Sequence, residues 1–214
     1  MLQIKLRRFD LQLVPNLTRL QTTLGARLSK LLNIPHIKLD TLHWGPNWQA
    51  CPADEFRAKV QEKLDESAET GWVIDGSYVS KLGNLVKDNA TDIICEPTCH
   101  PCNGFSSLHY FTRPAGLDPP FILYFPRICY RTFTRLLGYG DPCSPGCDES
   151  WRDVFTLGER SILWWCWTHH DPCRRRQQAD MMNEELRGKT YRLGGWGREL
   201  ENWIKDVREM VRSV

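Results

Sequence analysis

Between Thr22 and Asp40 the hydrophobic pattern changes its period. Leu24, Leu28, Leu31 and Leu32 fall at helical spacing and make one apolar face. Asn33 and Pro35 end that helix. His36-Ile37-Lys38-Leu39 then alternates as a strand does, with Asp40 at its carboxyl end. The same alternation of periods continues downstream. Pro52-Ala53-Asp54-Glu55 opens a helix whose apolar face is Phe56, Val60 and Leu64. Trp72-Val73-Ile74 is a short buried strand closed by the Asp75-Gly76 turn. Tyr78, Lys81 and Leu82 begin a further helix that ends around Asp88-Asn89, and Thr91 to Ile94 opens another strand. Phe121 to Leu137 is apolar and aromatic, with Pro126 as a kink. Trp151 to Trp167 reads as an aromatic helix, His169 to Cys173 as its break, and Arg174-Arg175-Arg176 as the start of the next helix. Lys189 to Leu193 is the last strand. Trp196 to Val211 is an amphipathic helix carrying Leu200, Trp203, Ile204, Val207 and Val211 on one face.

Strands that alternate with helices predict an α/β fold, a three-layer sandwich around a central parallel sheet. One domain is expected over 1–214, with an atypical N-terminus (1–21), an atypical insertion (96–116) and a helical lid region over about 138–176. Leu11 and Leu13 alternate too, but Arg7, Arg8 and Asp10 interrupt the pattern, so the first segment reads as an edge or frayed strand. In open α/β sheets ligands sit at the carboxyl ends of strands. Asp40 therefore becomes a site candidate, although the position suits a turn or capping residue equally, and Asp75-Gly76 reads by itself as a turn. Trp44, Pro46 and Trp48 follow Asp40 as a loop anchored by its indoles or as one wall of a pocket.

The order Thr22, Thr23, Leu24, Gly25, Leu28, Leu31, Pro35, Leu39, Asp40, Trp44, Pro46, Trp48 resembles small P-loop kinases of the adenylate kinase-like group. Within it, the bacterial topology modulation proteins and their fungal relatives are closest. The resemblance covers roughly 22–94 and 117–211. It implies ATP and Mg²⁺ as cofactors and phosphoryl transfer to an unknown small-molecule acceptor. In such proteins a glycine-rich loop ending in Lys and Ser/Thr holds the phosphates and the metal. Thr22 stands where that Ser/Thr belongs, with Gln21 and Thr23 beside it as cofactor-binding positions. Thr22 and Asp75 are the implied Mg²⁺ residues. The loop itself departs: Pro15 replaces the first Gly, a Leu the second, and Gln21 the Lys. The resemblance further implies that Asp40 orients or deprotonates the acceptor and that Arg131, Arg135, Arg174 and Arg175 clamp phosphates. Arg suits that work through its planar fork. The same arginines also read as solvated basic stripes.

Composition sharpens this only in part. The chain has 214 residues, 41% apolar and 25% charged, with a net charge of +2, and that balance carries no footprint for nucleic acid. No apolar run reaches membrane-spanning length, and charges break the first residues where a signal peptide needs an apolar run. A cytoplasmic monomer with no nucleic-acid or membrane partner is expected. Nine cysteines at irregular spacing do not form a disulfide framework. Cys95, Cys99 and Cys102 lie in a Cys-, Pro- and Ser-rich stretch that departs from the family pattern, with Cys143 and Cys147 as their one completion for zinc. That stretch also reads as a retained intron between Glu96 and Ala115, or as a plain loop insertion. Two rivals to a kinase therefore stand: a non-catalytic relative without nucleotide binding, and a metal-binding protein built on the Cys cluster.

Overall fold

Five short segments with buried apolar positions assemble one parallel sheet in the computed structural model, which describes residues 10–14, 20–95, 119–140, 142–156, 158, 161–192 and 198–213. In chain order the elements are β1 (Asp10–Val14), α1 (Leu20–Leu32), β2 (His36–Lys38), α2 (Leu39–His43), β3 (Trp44–Gly45), β4 (Gln49–Ala50) and α3 (Ala53–Glu66). They continue with β5 (Trp72–Asp75), α4 (Val79–Leu82), α5 (Leu85–Asn89), β6 (Asp92–Cys95) and α6 (Pro119–Leu136). The remainder are α7 (Trp151–Phe155), α8 (Ile162–Met182), α9 (Glu184–Arg187), β7 (Thr190–Arg192) and α10 (Arg198–Arg212). The sheet runs β2-β5-β1-β6-β7, and every pairing in it is parallel. β3 and β4 form a separate antiparallel pair.

Alternation along the strands feeds two cores. On one face Leu11, Leu13, Val73 and Ile94 meet Leu24 and Leu28 of α1 and Leu200 and Ile204 of α10. On the other, Ile37, Trp72, Ile74 and Ile93 meet Phe56, Val60 and Leu64 of α3, Leu82 of α4, Val86 of α5 and Leu186 of α9. Helices thus cover both faces of the sheet, as an all-parallel sheet requires. Replacing a side chain as buried as Leu28 or Trp72, each 0% exposed, by Ala costs about 2–5 kcal/mol.

Three expectations need correction. The first strand is neither edge nor frayed. β1 lies at the centre of the sheet, with Leu11 opposite both Val73 and Asp92. Its flanking charges hid it, because Asp10 and Gln12 are themselves buried. The aromatic helix does not run from Trp151 to a break at His169. It ends at Phe155, and one long helix, α8, passes straight through His169, Pro172 and Arg174. Ser150 and Ser161 cap the two helices by accepting from Asp153 N and Trp164 N. Those caps set the boundary, while Pro172 only removes one donor inside a long helix. Finally, the helix after Tyr78 is two pieces, α4 and α5, divided at Gly83 in the left-handed region (φ +61°).

The topology gathers the carboxyl ends of β1, β2 and β5. Lys38 and Leu13 both stand opposite Asp75 in register. β1 leads through α1 to one edge of the sheet, and β6 leads on toward the other. Their connections diverge, which makes this the switch point where α/β sheets bind ligands. A segment from the far half of the chain is fastened beside it. Ser144 Oγ donates to Trp44 O (2.7 Å), Asn47 N to Gly146 O (2.8 Å) and Trp48 Nε1 to Asp148 O (2.9 Å). The Cys147 thiol donates to Gly45 O (3.1 Å). This strap, 142–150, makes the Trp44–Trp48 turn an anchor, with Asn47 and Trp48 held at φ 57° and 58°.

Candidate active site

Helix α1 enters the switch point with Thr22 in its first turn. The Thr22 hydroxyl donates to Asp75 Oδ2 at 2.8 Å, joining the start of α1 to the end of β5. Burial pushes the Asp75 carboxyl up to about 6, opposed by the Thr22 hydrogen bond. The charge of Asp40 pushes the same way as burial, and Lys38 and Arg131 act against it. Asp75, Asp40, Lys38 and Arg131 therefore share one electrostatic neighbourhood.

His36 completes this corner. Its ring lies against Gly25 of α1, where an added Cβ would come within 2.4 Å of Nε2. Desolvation, with Lys38 beside it, lowers the imidazole to about 4, so it is neutral near pH 7. His36 Nε2 is buried without a hydrogen-bond partner and stands 3.9 Å from Asp75 Oδ2. That gap is too long for a direct hydrogen bond.

Asp40 lies in the first turn of α2 rather than on the strand, because β2 ends at Lys38. Tyr78 donates its hydroxyl to Asp40 Oδ1 at 2.5 Å, and the Cys143 thiol donates to Oδ2 at 3.5 Å. Burial, then the Asp40 charge, raise both donors, Cys143 to about 12. Cys143 is therefore a neutral thiol, not a reactive thiolate. A carboxylate accepts about four hydrogen bonds, so Asp40 keeps capacity for a ligand. Behind it His43 is buried among Trp44, Phe56 and Tyr78, with Nε2 2.9 Å from Lys81 Nζ.

The expected arginines divide. Arg131 acts on Asp75. Arg135 pairs through Nη1 with Glu149 Oε1 at 2.7 Å, both side chains largely buried, and its charge reaches Cys143, the thiol that donates to Asp40. That ion pair fastens α6 to the strap. Arg175 is exposed on α8 and has no hydrogen-bonded or ion-paired partner among the described residues. The side chains of Arg174 and Gln21 lie outside the described residues, as does Pro15 to Arg19. Thr23 is exposed on α1. Sequence reasoning missed Lys38 and His36, whose one signal is strand register: Lys38 faces Asp75 only once β2 and β5 are paired.

Thr22 and Asp75 offer two oxygen donors of the kind Mg²⁺ takes along with waters and phosphates. Among the described residues no three His, Cys, Asp or Glu side chains gather to hold a metal. Cys99, Cys102 and the Cys95 thiol lie outside the described residues, and the thiols of Cys143 and Cys147 serve the Asp40 and Gly45 contacts. No helix among the described residues is long and apolar enough to cross a membrane. No known protein family and no curated protein matches the chain.

Proposed function

We propose that the chain is a P-loop kinase-like protein whose parent activity is ATP-dependent phosphoryl transfer to a small hydroxyl-bearing acceptor, with nucleotide affinity reduced by the altered loop. A cytoplasmic place and a monomeric state belong to the same reading. The observation that carries it is the 2.8 Å bond from Thr22 to Asp75, which joins a helix N-terminus to a strand-end carboxylate with Asp40 and Arg131 in the same neighbourhood. Thr22 and Asp75 would hold Mg²⁺, which when bound supplies charge neutralisation for the phosphates. The α1 N-terminus and Arg131 favour the phosphate anion. Lys38, opposite Asp75, adds part of the charge that the absent loop Lys lacks. Tyr78 fixes Asp40, so that its free lone pairs accept the acceptor hydroxyl.

The loop sets the scale. A charge-assisted hydrogen bond contributes about 1.5–3 kcal/mol, and tenfold in affinity is about 1.4 kcal/mol. Loss of the Lys alone therefore weakens ATP by roughly ten- to a hundredfold. Calorimetric titration of the intact chain with ATP and Mg²⁺ tests the reading. Binding weaker than micromolar, and weaker again in Arg131→Gln, is expected. Binding that ignores both Mg²⁺ and Arg131 counts against it.

A further inference from the structure

Helix α6 is apolar on a side that the rest of the fold leaves in water. Its inner side is accounted for: Ile128 and Thr132 are buried, and Arg131 acts on Asp75. Away from these, Pro126, Tyr130, Phe133 and Leu137 follow one another at steps of four, three and four, which aligns them in one stripe along the helix. The arginines of α6, at 127, 131 and 135, form a separate row four residues apart, so the stripe itself carries no charge. Helix α7 widens it. Trp151 and Phe155 stack at 6.0 Å and 3°, and both meet Phe133, at 6.4 and 6.0 Å. Yet Tyr130 is 71% exposed, Leu137 59%, Trp151 52% and Phe155 62%. A surface helix turns charged and polar residues to water. This one turns a seam of rings and leucine to it.

We infer that this face pairs with the same face of a second copy of the chain, α6 against α6 across a two-fold axis. The area supports a pair. At about 150–250 Å² per aromatic side chain, the exposed parts of Tyr130, Trp151 and Phe155, with Leu137 added, leave about 500 Å² of apolar surface in water. A stable interface covers about 800 Å² on each partner, and about 65% of it is apolar in homodimers. The two figures agree. The spacing sets the form of the partner, because steps of four and three are the seam of two helices packed side by side, and a two-fold axis lays each seam on its own copy. The charge permits identical faces, since no like charges within the stripe meet across the axis. Such a pair replaces the single chain of the nucleotide reading as the working unit. It braces α6 behind Arg131, and its face shares no residue with the Thr22–Asp75 cleft.

Sedimentation and light scattering of the full chain at rising concentration test this. At about 100 μM, above the micromolar constants that interfaces of this size reach, the mass should be twice the 24.9 kDa of one chain. Amide hydrogen exchange should slow with concentration at 126–137 and 151–155. The Tyr130→Lys, Leu137→Lys double variant should keep its helical circular dichroism, because both side chains are exposed in one copy. Like charges brought together at the seam should weaken its pairing by roughly a hundredfold. A wild-type chain that stays at 24.9 kDa overturns the inference. So does pairing that persists in the folded double variant, or a ladder of larger species, since a two-fold contact closes at two. Should the double variant fail to fold, exchange in the wild type decides: concentration-dependent protection that lies outside α6 and α7 overturns the inference. Every one of these outcomes leaves the nucleotide reading to its own titration.

Discussion

Replacing Asp75 by Asn removes a carboxyl that burial holds well above its ordinary range. The shift from 3.8 to about 6 corresponds to about 3 kcal/mol, at about 1.4 kcal/mol per pH unit. The sign follows from linkage. Above pH 6 the group is ionised in both states, and the fold carries the full penalty of the buried charge. As pH falls from 6 toward 3.8 the folded state takes up its proton first, and stability rises. Asn carries no such penalty at any pH and can still accept from Thr22. Asp75→Asn should therefore stabilise the chain by about 2–3 kcal/mol more at pH 7.5 than at pH 4. At a urea m-value of about 2–3 kcal/mol per molar, that is a midpoint difference of roughly 1 M. The wild-type chain alone would hide this. His36, lowered from 6.5 to about 4, gives stability that is complete above pH 6.5 and lost as pH falls toward 4, so the two groups oppose each other over the same window. The assay is urea unfolding of wild type and variant at both pH values, followed by tryptophan fluorescence. Equal differences between the two proteins at pH 7.5 and pH 4, or a variant less stable at pH 7.5, would refute the electrostatic reasoning.

Thr22→Val removes the hydroxyl on Asp75 Oδ2 and should cost about 1.5–3 kcal/mol at pH 7.5; the cost should shrink at pH 4, where the carboxyl is neutral, as paired denaturation curves will reveal. Gly25→Ala places a Cβ 2.4 Å from His36 Nε2 and should destabilise by about 1–3 kcal/mol. Adding His36→Ala should recover most of that in a double-mutant cycle, and strict additivity would count against the packing argument. Asp180→Ala leaves the buried Lys87 ammonium, now 2.5 Å from Asp180 Oδ2, without its counter-charge. A loss of about 3–5 kcal/mol is expected in urea unfolding, and a loss below about 0.5 kcal/mol would mean that the pair is only a surface contact.

What the sequence revealed is what local periodicity encodes. Leu24, Leu28 and Leu31 announce α1, Asn33 ends it at φ 54°, and Trp72 to Ile74 announces β5. β1 was harder, because Asp10 and Gln12 occupy the alternate positions of a strand buried on both faces, so charge suggested an edge where pairing gives the centre. Pro172 misled for a similar reason. Proline is a strong local breaker, yet the Ser150 and Ser161 caps placed the boundary earlier. Within the site, Thr22 and Asp75 were legible from their motifs. The engagement of Arg135 by Glu149 was not, nor was the strap over Trp44 to Trp48. These contacts join residues up to a hundred positions apart, and no periodic signal reports such pairings. Lys38 and His36 enter the site only through strand register.

The most direct test restores what the loop lacks. Residues Pro15 to Gln21 are replaced by a glycine-rich loop ending in Gly-Lys, and Mg²⁺·ATP is titrated calorimetrically into the original chain, the repaired chain and the repaired chain carrying Asp75→Asn. If Thr22, Asp75 and Arg131 form a phosphate and metal site, the repaired chain binds at least tenfold more tightly than the original, and Asp75→Asn abolishes the Mg²⁺ dependence. A well-folded repaired chain that binds no ATP would contradict the kinase reading and leave the fold alone standing.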